Sequence, residues 1–465
     1  MLWITSVHLI LLPWALGTAR LWAQIPSLAL GAIAFAVALF PRNYTEAQTG
    51  SDRFRLLMWP KLVRFPIFWL GLALLGYIAL QAYNPSWEYQ SDDKSWWMKM
   101  IPHLSWLPTG VRAPFERSSP TRMILVYSAC WLTACSVWVG FTRRRSLQLL
   151  LTTLMVNGVA LATLGVAQRM LGNQKMFWFW DSPNKQFFAS FIYKNHGGIY
   201  LDLMVGVTAG LAAWHYLKGL RYLKKSDPSV VIAFLAVCIA ASVLISQASG
   251  ATMIMFAFAS IGIAAFIVHQ IRLPRESRRP LVTVALLALI AMFLAPSLPA
   301  LGSNASFVRL KRILTREDWA FEQREEVTKA SIEMLRDHWK VGAGAGSFRY
   351  LFTTYQHRHP NLVVWWGQRL YWEHAHNDIL QFPIELGLFG ALVILFGAFW
   401  FAVDLIRHKF WDSPVSMSIA TILLLIVVYS WWDFPFQNPA VLTTFCVLCA
   451  VSTAWVRMEE SGGGA

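Results

Sequence analysis

A chain of 465 residues that is 56% hydrophobic, 14% aromatic and only 14% charged carries more apolar side chain than one water-soluble core can cover, so it reads as an integral membrane protein. A net charge of +15 would suggest nucleic acid in a soluble protein, but here most of the basic residues lie in the connections between apolar runs and report topology; no nucleic-acid partner is expected, and membrane lipids are. The 24 Trp suit membrane–water interfaces, and the five cysteines, Cys130, Cys135, Cys238, Cys446 and Cys449, all fall inside apolar runs as packing residues, with no metal site expected from them.

In chain order, apolar runs near 2–19 and 21–40 precede a basic connection, 41–64, with Arg42, Arg53, Arg55, Lys61 and Arg64. The first run lacks a basic leader and a small-residue cleavage site, so a retained span is expected there rather than a signal peptide. Runs near 66–82 and 122–141 enclose a Trp-rich loop, 83–120, and return to Arg143, Arg144 and Arg145. Further runs follow near 146–167, 196–217, 229–246, 251–271 and 280–298, then 379–404, 415–432 and 438–456. Long apolar stretches with basic short loops on one side predict an all-α polytopic protein of about twelve spans with both termini cytoplasmic.

One segment departs from that alternation. Residues 299–377, between the ninth and tenth spans, fall on the outer side yet hold more Lys and Arg than Asp and Glu. Long loops are exempt from the charge rule, so the excess calls either for an anionic ligand or for ordinary ion pairing. Within the segment, 316–340 lays out as an amphipathic helix, with Glu322, Glu326, Lys329, Glu333, Arg336, Asp337 and Lys340 on one side and Ala320, Phe321, Val327, Ser331 and Leu335 on the other. Arg324 falls on the apolar side, where a guanidinium needs a carboxylate or a bound anion, or must snorkel to headgroups. The glycine run Gly342 to Gly346 that follows is either a helix C-cap or a backbone able to approach phosphate.

The segment ends in Glu373-His374-Ala375-His376-Asn377-Asp378, which opens the tenth span. If the helix starts near Asn377, Asp378, Gln381 and Glu385 recur on one face as a polar stripe that cannot be turned to lipid. A second polar group lies at Lys194, Asn195 and His196, with Asp202 following in the sixth span, Arg169 at the outer end of the fifth and Asp433 at that of the eleventh. Each alone suits a cap or a packed polar residue. Together they predict an outward-facing site combining cations for an anionic group with His or carboxylate for proton transfer.

The motif His376-Asn377-Asp378-Ile379-Leu380-Gln381, followed by Glu385-Leu386-Gly387 and Gly390, resembles the O-antigen ligase and O-antigen polymerase superfamily of bacterial membrane glycosyltransferases. Arg324 with the later Gly342–Phe348 run, and Phe191–His196, are similar to that family's loop arginine and Asn-His segment, so the likeness spans about 185–440. It frames three regions: N-terminal membrane helices 1–184, a ligase-related region 185–440, and a last helix with its tail, 441–465. Where many members have Ser-x-Ser-Arg-Gly, this chain has Ser246-Gln247-Ala248-Ser249-Gly250. The resemblance implies a GT-C-like enzyme of the bacterial inner membrane with a periplasmic active site. Such an enzyme moves a glycan, with inversion and without a metal or other cofactor, from undecaprenyl pyrophosphate to a sugar hydroxyl of lipid A–core (ligase) or of a lipid-linked repeat unit (polymerase).

The residue chemistry suits that reaction. A neutral His can take the proton of a poor hydroxyl nucleophile, and fixed Arg or Lys can meet the charge of departing pyrophosphate. The expected base is His376, with His374 as second candidate and Asn377 or Asp378 as orienting partner. Arg324, Lys194 and Arg169 are expected at the pyrophosphate, with Asn195, His196, Asp202, Gln381, Glu385 and Asp433 lining the site. A secondary transporter would show paired halves and broken helices around midplane charges, and a non-catalytic assembly partner would need no such cluster.

Overall fold

The computed structural model describes residues 1–45, 53–172, 175–221, 227–272, 319–365 and 368–462. Its helices are α1 (Leu2–Trp14), α2 (Leu21–Leu39), α3 (Trp59–Val63), α4 (Pro66–Tyr83), α5 (Pro120–Gly140), α6 (Arg144–Met170), α7 (Lys194–Arg221), α8 (Ser229–Ile245) and α9 (Ser249–Arg272). After 318 come α10 (Trp319–His338), α11 (Phe348–Gln356), α12 (Asp378–Arg407), α13 (Pro414–Tyr429) and α14 (Pro439–Gly462). Every expected span except the ninth falls on a helix; 280–298 and 299–318 lie outside the described residues. Among the described residues eight helices are long and apolar enough to cross a membrane, and α1, α8 and α13 are shorter apolar helices. The protein is a mostly helical, polytopic membrane protein.

The chain divides into two compact units. The first comprises Met1–Gln148, Glu322–Lys409 and Ser430–Ala465. Its membrane helices gather on α5, against which α2, α4 and α14 pack. Gly71 of α4 lets the Trp131 indole lie flat on the backbone, since a Cβ there would stand 2.1 Å from the ring, and the indole N–H donates to the Phe68 carbonyl at 3.2 Å. A buried polar link ties α1, α2 and α5: His8 Nε2 meets Ser27 Oγ at 2.8 Å and His8 Nδ1 meets Thr133 Oγ1 at 3.2 Å. Side-chain hydrogen bonds of this kind hold helices together where lipid supplies no hydrophobic drive.

The Trp-rich loop is not featureless. It folds into a three-stranded sheet of β3 (Pro85–Ser91), β4 (Trp96–Met100) and β5 (Gly110–Arg112), with β3 central, antiparallel to β4 and parallel to β5; among the described residues the other sheets are two-residue strand pairs and the antiparallel pair β1 (Arg42–Thr45) with β2 (Arg53–Leu56). The reason is a period of two: Trp87 and Tyr89 on β3 and Trp96 and Met98 on β4 present one apolar face. That face joins Val327, Met334, Phe348, Phe352, Leu380 and Ile384 in a single core. The sheet, α10, α11 and the first turns of α12 therefore fold as one body.

On α10 the buried stripe is Gln323, Val327, Ala330, Ser331 and Met334. It is turned relative to the stripe expected from sequence: Arg324 lies at its edge, half-buried, and Leu335 is half-buried too. The ionic side is pinned by Lys329, 3.4 Å from Glu325 and 2.7 Å from Glu326, and by His359, whose ring nitrogens each lie 3.2 Å from a carboxylate, of Glu326 and of Glu333. Much of the charge of this segment is thus paired internally.

The second unit comprises Leu149–Phe321 and Phe410–Tyr429, in which α8, α9 and α13 pack against α7. Small residues bring the helices close. A Cβ on Gly206 would sit 2.4 Å from Ile422, and one on Gly198 2.7 Å from Ala251.

Candidate active site

The site of the first unit forms where α12 begins. Asn377 is its N-cap, extended in backbone, its side chain accepting from the Leu380 N–H at 3.1 Å. The next residue, Asp378, is a buried staple. Its N–H donates to the Ser430 carbonyl at 2.9 Å, and its carboxylate accepts from the Phe436 N–H at 2.7 Å and from Gln437 Nε2 at 2.9 Å. The turn 430–438 is thereby fixed against the start of α12.

That fixture presents Asp433 to His376. His376 adopts a left-handed conformation, φ 50°, and its Nδ1 lies 3.8 Å from Asp433 Oδ1, too long for a hydrogen bond but close for Coulomb attraction. Asp433 is buried, and His376 is about 20% exposed. Phe434 holds both histidines, stacked on His374 with centroids 4.6 Å apart and edge-on to His376 at the same separation, while Trp372 closes the other side of His376 at 5.6 Å. Burial outweighs the favourable field of Asp433 and holds the His376 imidazole below its ordinary value near 6.5, and Arg324 pushes the same way. The ring is therefore neutral at neutral pH. The expectation that Asp378 orients His376 is corrected by this geometry: its two oxygens are committed to residues 436–437, and Asp433 is the carboxylate beside the ring.

Arg324 approaches the same corner. One guanidinium nitrogen, Nη1, donates to the Trp432 carbonyl at 3.3 Å, next to Asp433 in the chain. Of the neighbouring carboxylates, Glu325 pairs with Lys329 and Asp378 is held by 436–437. Arg349, a cation the sequence reading did not single out, lies 3.6 Å from Glu373, one residue before His374.

Gln381 and Glu385 continue inward as a hydrogen-bonded relay. Gln381 accepts from the Ala375 N–H at 3.0 Å and donates to His374 Nδ1 at 3.3 Å and to Glu385 Oε1 at 3.1 Å. Glu385 in turn accepts from the N–H groups of Gly346 at 2.9 Å and Phe348 at 3.2 Å. The glycine run is thus spent on the protein itself: Gly342 caps α10 with φ 76°, and Ala343 and Gly344 donate to the carbonyls of Ile384 and Glu385. This closes the phosphate-cradle alternative for 342–346.

The same clasp explains a break in α12. Gly387 has φ 62° and ψ −169°, so the span is two helices in tandem and not one. The orphaned groups are met from outside the helix: Leu388 donates to the Trp339 carbonyl at 2.7 Å, and Gln81 of α4 donates to the Glu385 carbonyl at 2.9 Å. Irregular backbone at a membrane span survives only where protein satisfies it in this way.

The remaining candidates belong to the second unit. Lys194 opens α7, with Asn195 donating to the Tyr193 hydroxyl at 3.0 Å and His196 edge-on to the Tyr193 ring at 5.0 Å. Arg169 Nη2 donates to Gln247 Oε1 at 2.6 Å, which sets its guanidinium on the 246–250 turn. Asp202 is fully buried, roughly 12 Å along α7 from Lys194 at a helical rise of about 1.5 Å per residue, and neither carboxylate oxygen has a hydrogen-bond partner.

Residues 204–395 match the family model described as O-antigen ligase, which is consistent with the resemblance to the O-antigen ligase and polymerase superfamily, a family of polysaccharide-biosynthesis enzymes. The match takes in Arg324, both histidines, Asp378, Gln381 and Glu385, and is narrower than the 185–440 expected from motifs. No curated protein matches the chain.

Proposed function

We propose that the protein is an inverting, metal-independent glycosyltransferase with a GT-C-like membrane fold. In this reading it moves a glycan from undecaprenyl pyrophosphate to a sugar hydroxyl at the periplasmic face of a bacterial inner membrane. The observation that carries the reading is His376, packed between Phe434 and Trp372 with Nδ1 turned to Asp433, beside an arginine fastened to the neighbouring carbonyl.

With Nδ1–H directed at Asp433, Nε2 is the basic nitrogen on the opposite edge of the ring. It takes the acceptor hydroxyl proton as the hydroxyl oxygen bonds to the anomeric carbon. The bond from that carbon to the phosphate oxygen breaks on the opposite face, inverting the centre, and the electron pair leaves with the pyrophosphate. Arg324 meets that developing charge, as a fixed guanidinium does best in a bidentate grip. In the second unit, Lys194 and Arg169 are the cations proposed for donor phosphate. Arg169 is held on the 246–250 turn by its bond to Gln247, in the segment where this chain lacks the arginine that many family members carry.

The test is reconstitution of the purified chain in liposomes with a polyprenyl-pyrophosphate glycan, offering lipid A–core or a second lipid-linked unit as acceptor. A single transfer to lipid A–core makes it a ligase and a ladder makes it a polymerase. No transfer to either acceptor by folded protein removes the proposal.

A further inference from the structure

In the half of α12 far from His376, roughly 14 to 30 Å beyond the Gly387 break at about 1.5 Å per residue, the first unit contains a groove between α4 and α12. Its cavity is about 570 Å³, within the size range of small-molecule sites. Trp69, Leu70, Phe396, Phe399 and Val403 form the walls and Trp400 lines it from behind. Arg64 and Arg407 are both among the lining residues, and both are exposed.

The groove is a built feature. Trp400 is locked edge-on by Phe65 at 5.3 Å and by Trp138 at 5.4 Å, and Phe65 and Trp138 are stacked on each other at 4.5 Å. The Trp69 indole donates to the Val63 carbonyl at 2.9 Å, which fixes the rim beside Arg64. Carboxylates near this end are already engaged: Asp404 is held by Arg457 and by His408, and Glu460 by His408. Among the described residues the Arg64 and Arg407 guanidinium groups have no ion-pair partner. An apolar aromatic channel along a spanning helix, ending in two uncompensated guanidinium groups, is complementary to one kind of molecule: an acyl chain in the channel and a phosphate headgroup at its mouth.

We propose that this groove binds an anionic phospholipid from the leaflet opposite the candidate active site, with its phosphate between Arg64 and Arg407 and one acyl chain along Phe396, Phe399 and Trp400. Clusters of basic side chains between spans select anionic headgroups, and each contributes appreciably near the membrane surface. Because the ligand contacts both α4 and α12, it braces the two helices whose other ends carry Gln81 and the Gly387 break.

The proposal is tested on the full chain in detergent by native mass spectrometry, with phosphatidylglycerol and phosphatidylcholine of identical chains as probes. The wild-type protein is expected to retain phosphatidylglycerol through detergent exchange with a preference of about tenfold or more over phosphatidylcholine. The double variant Arg64→Gln/Arg407→Gln is expected to lose the preference, and Val403→Trp, which fills the channel while leaving both arginines, to lose retention of either lipid. Equal retention of the two lipids by wild type, or unchanged preference in the double variant, overturns the site; so does full retention by Val403→Trp. The readout needs no glycan transfer, so its failure leaves the proposed activity standing, and the reverse holds.

Discussion

His376 Nδ1 and Asp433 Oδ1 face each other across 3.8 Å, and the residue after Asp433, Phe434, is the one whose ring clamps both histidines. The turn that supplies the carboxylate therefore also supplies the packing that orients the proposed base. Replacement of His376 removes the proposed proton acceptor but little of the core. His376→Asn, which tolerates the left-handed φ of 50°, is expected to lower transfer by about 10²–10⁴ while elution and melting temperature stay near wild type. His374→Ala, which loses a stacking contact and one bond to Gln381, should cost less. Turnover within a few-fold of wild type in the His376 variant assigns the base elsewhere.

The fields on His376 give opposite shifts in pH dependence. Its pKa is already held below about 6.5, so activity should be flat through neutral pH and fall only as acid charges the ring. Asp433 favours the charged ring, so Asp433→Asn lowers the pKa further and moves the acid limb of kcat/KM to lower pH. Arg324 disfavours it, so Arg324→Gln moves the limb to higher pH. Liposome assays from pH 4.5 to 8 separate these directions; the same limb in all three proteins makes His376 silent in the profile.

For Arg324, which donates to the Trp432 carbonyl, the planar guanidinium fork is the feature proposed to grip an anion. An ammonium offers no such fork. Arg324→Lys is expected to weaken binding of a polyprenyl pyrophosphate analogue and Arg324→Ala to weaken it more, with turnover falling by about 10²–10³. Two folded variants that bind and turn over like wild type make Arg324 structural.

Much of the helical frame was legible because its signal is long-range and redundant: eighteen or more apolar residues have few alternatives in a membrane, as in α5, α7 and α12. The polar cluster at 374–385 was legible for the converse reason, since buried charge in such a run has to be satisfied. What was hidden depends on partners distant in sequence. Asp378 and Glu385 fall on one polar stripe of a helical wheel, yet each accepts hydrogen bonds from backbone N–H groups of segments about 40 or more residues away, Phe436 and Gly346. The sheet at 85–112 was missed because its period of two is short and crowded with Trp, which also suits a membrane interface.

Topology gives an independent test. By the positive-inside rule, the proposed map has 299–377 extracytoplasmic and 408–413 cytoplasmic. In a background without the five native cysteines, Glu325→Cys and Asp412→Cys, both exposed positions, should label oppositely with an impermeant thiol reagent applied to intact cells. Equal labelling from outside rejects the map, and with it a periplasmic site.

The clasp between the glycine run and the α12 break can be tested apart from chemistry. Gly387 sits at φ 62°, ψ −169°, a region essentially reserved for glycine, and a Cβ there would lie 2.6 Å from the Gly342 amide nitrogen and 2.7 Å from the Lys340 carbonyl oxygen. Neither neighbour is a side chain able to swing away. Gly387→Ala is therefore expected to destabilise by more than the roughly 1–3 kcal/mol of backbone strain alone, because the two backbones must also separate. Glu385→Gln is milder. The amide keeps one acceptor oxygen, so only one of the Gly346 and Phe348 N–H groups loses its partner, at a cost of about 1–3 kcal/mol. Thermal unfolding in detergent, read together with proteolysis of 319–376, should rank the proteins wild type, then Glu385→Gln, then Gly387→Ala. A Gly387→Ala protein that melts with wild type, its 319–376 segment equally protected, shows that α12 runs unbroken through this point and that the glycine run docks elsewhere.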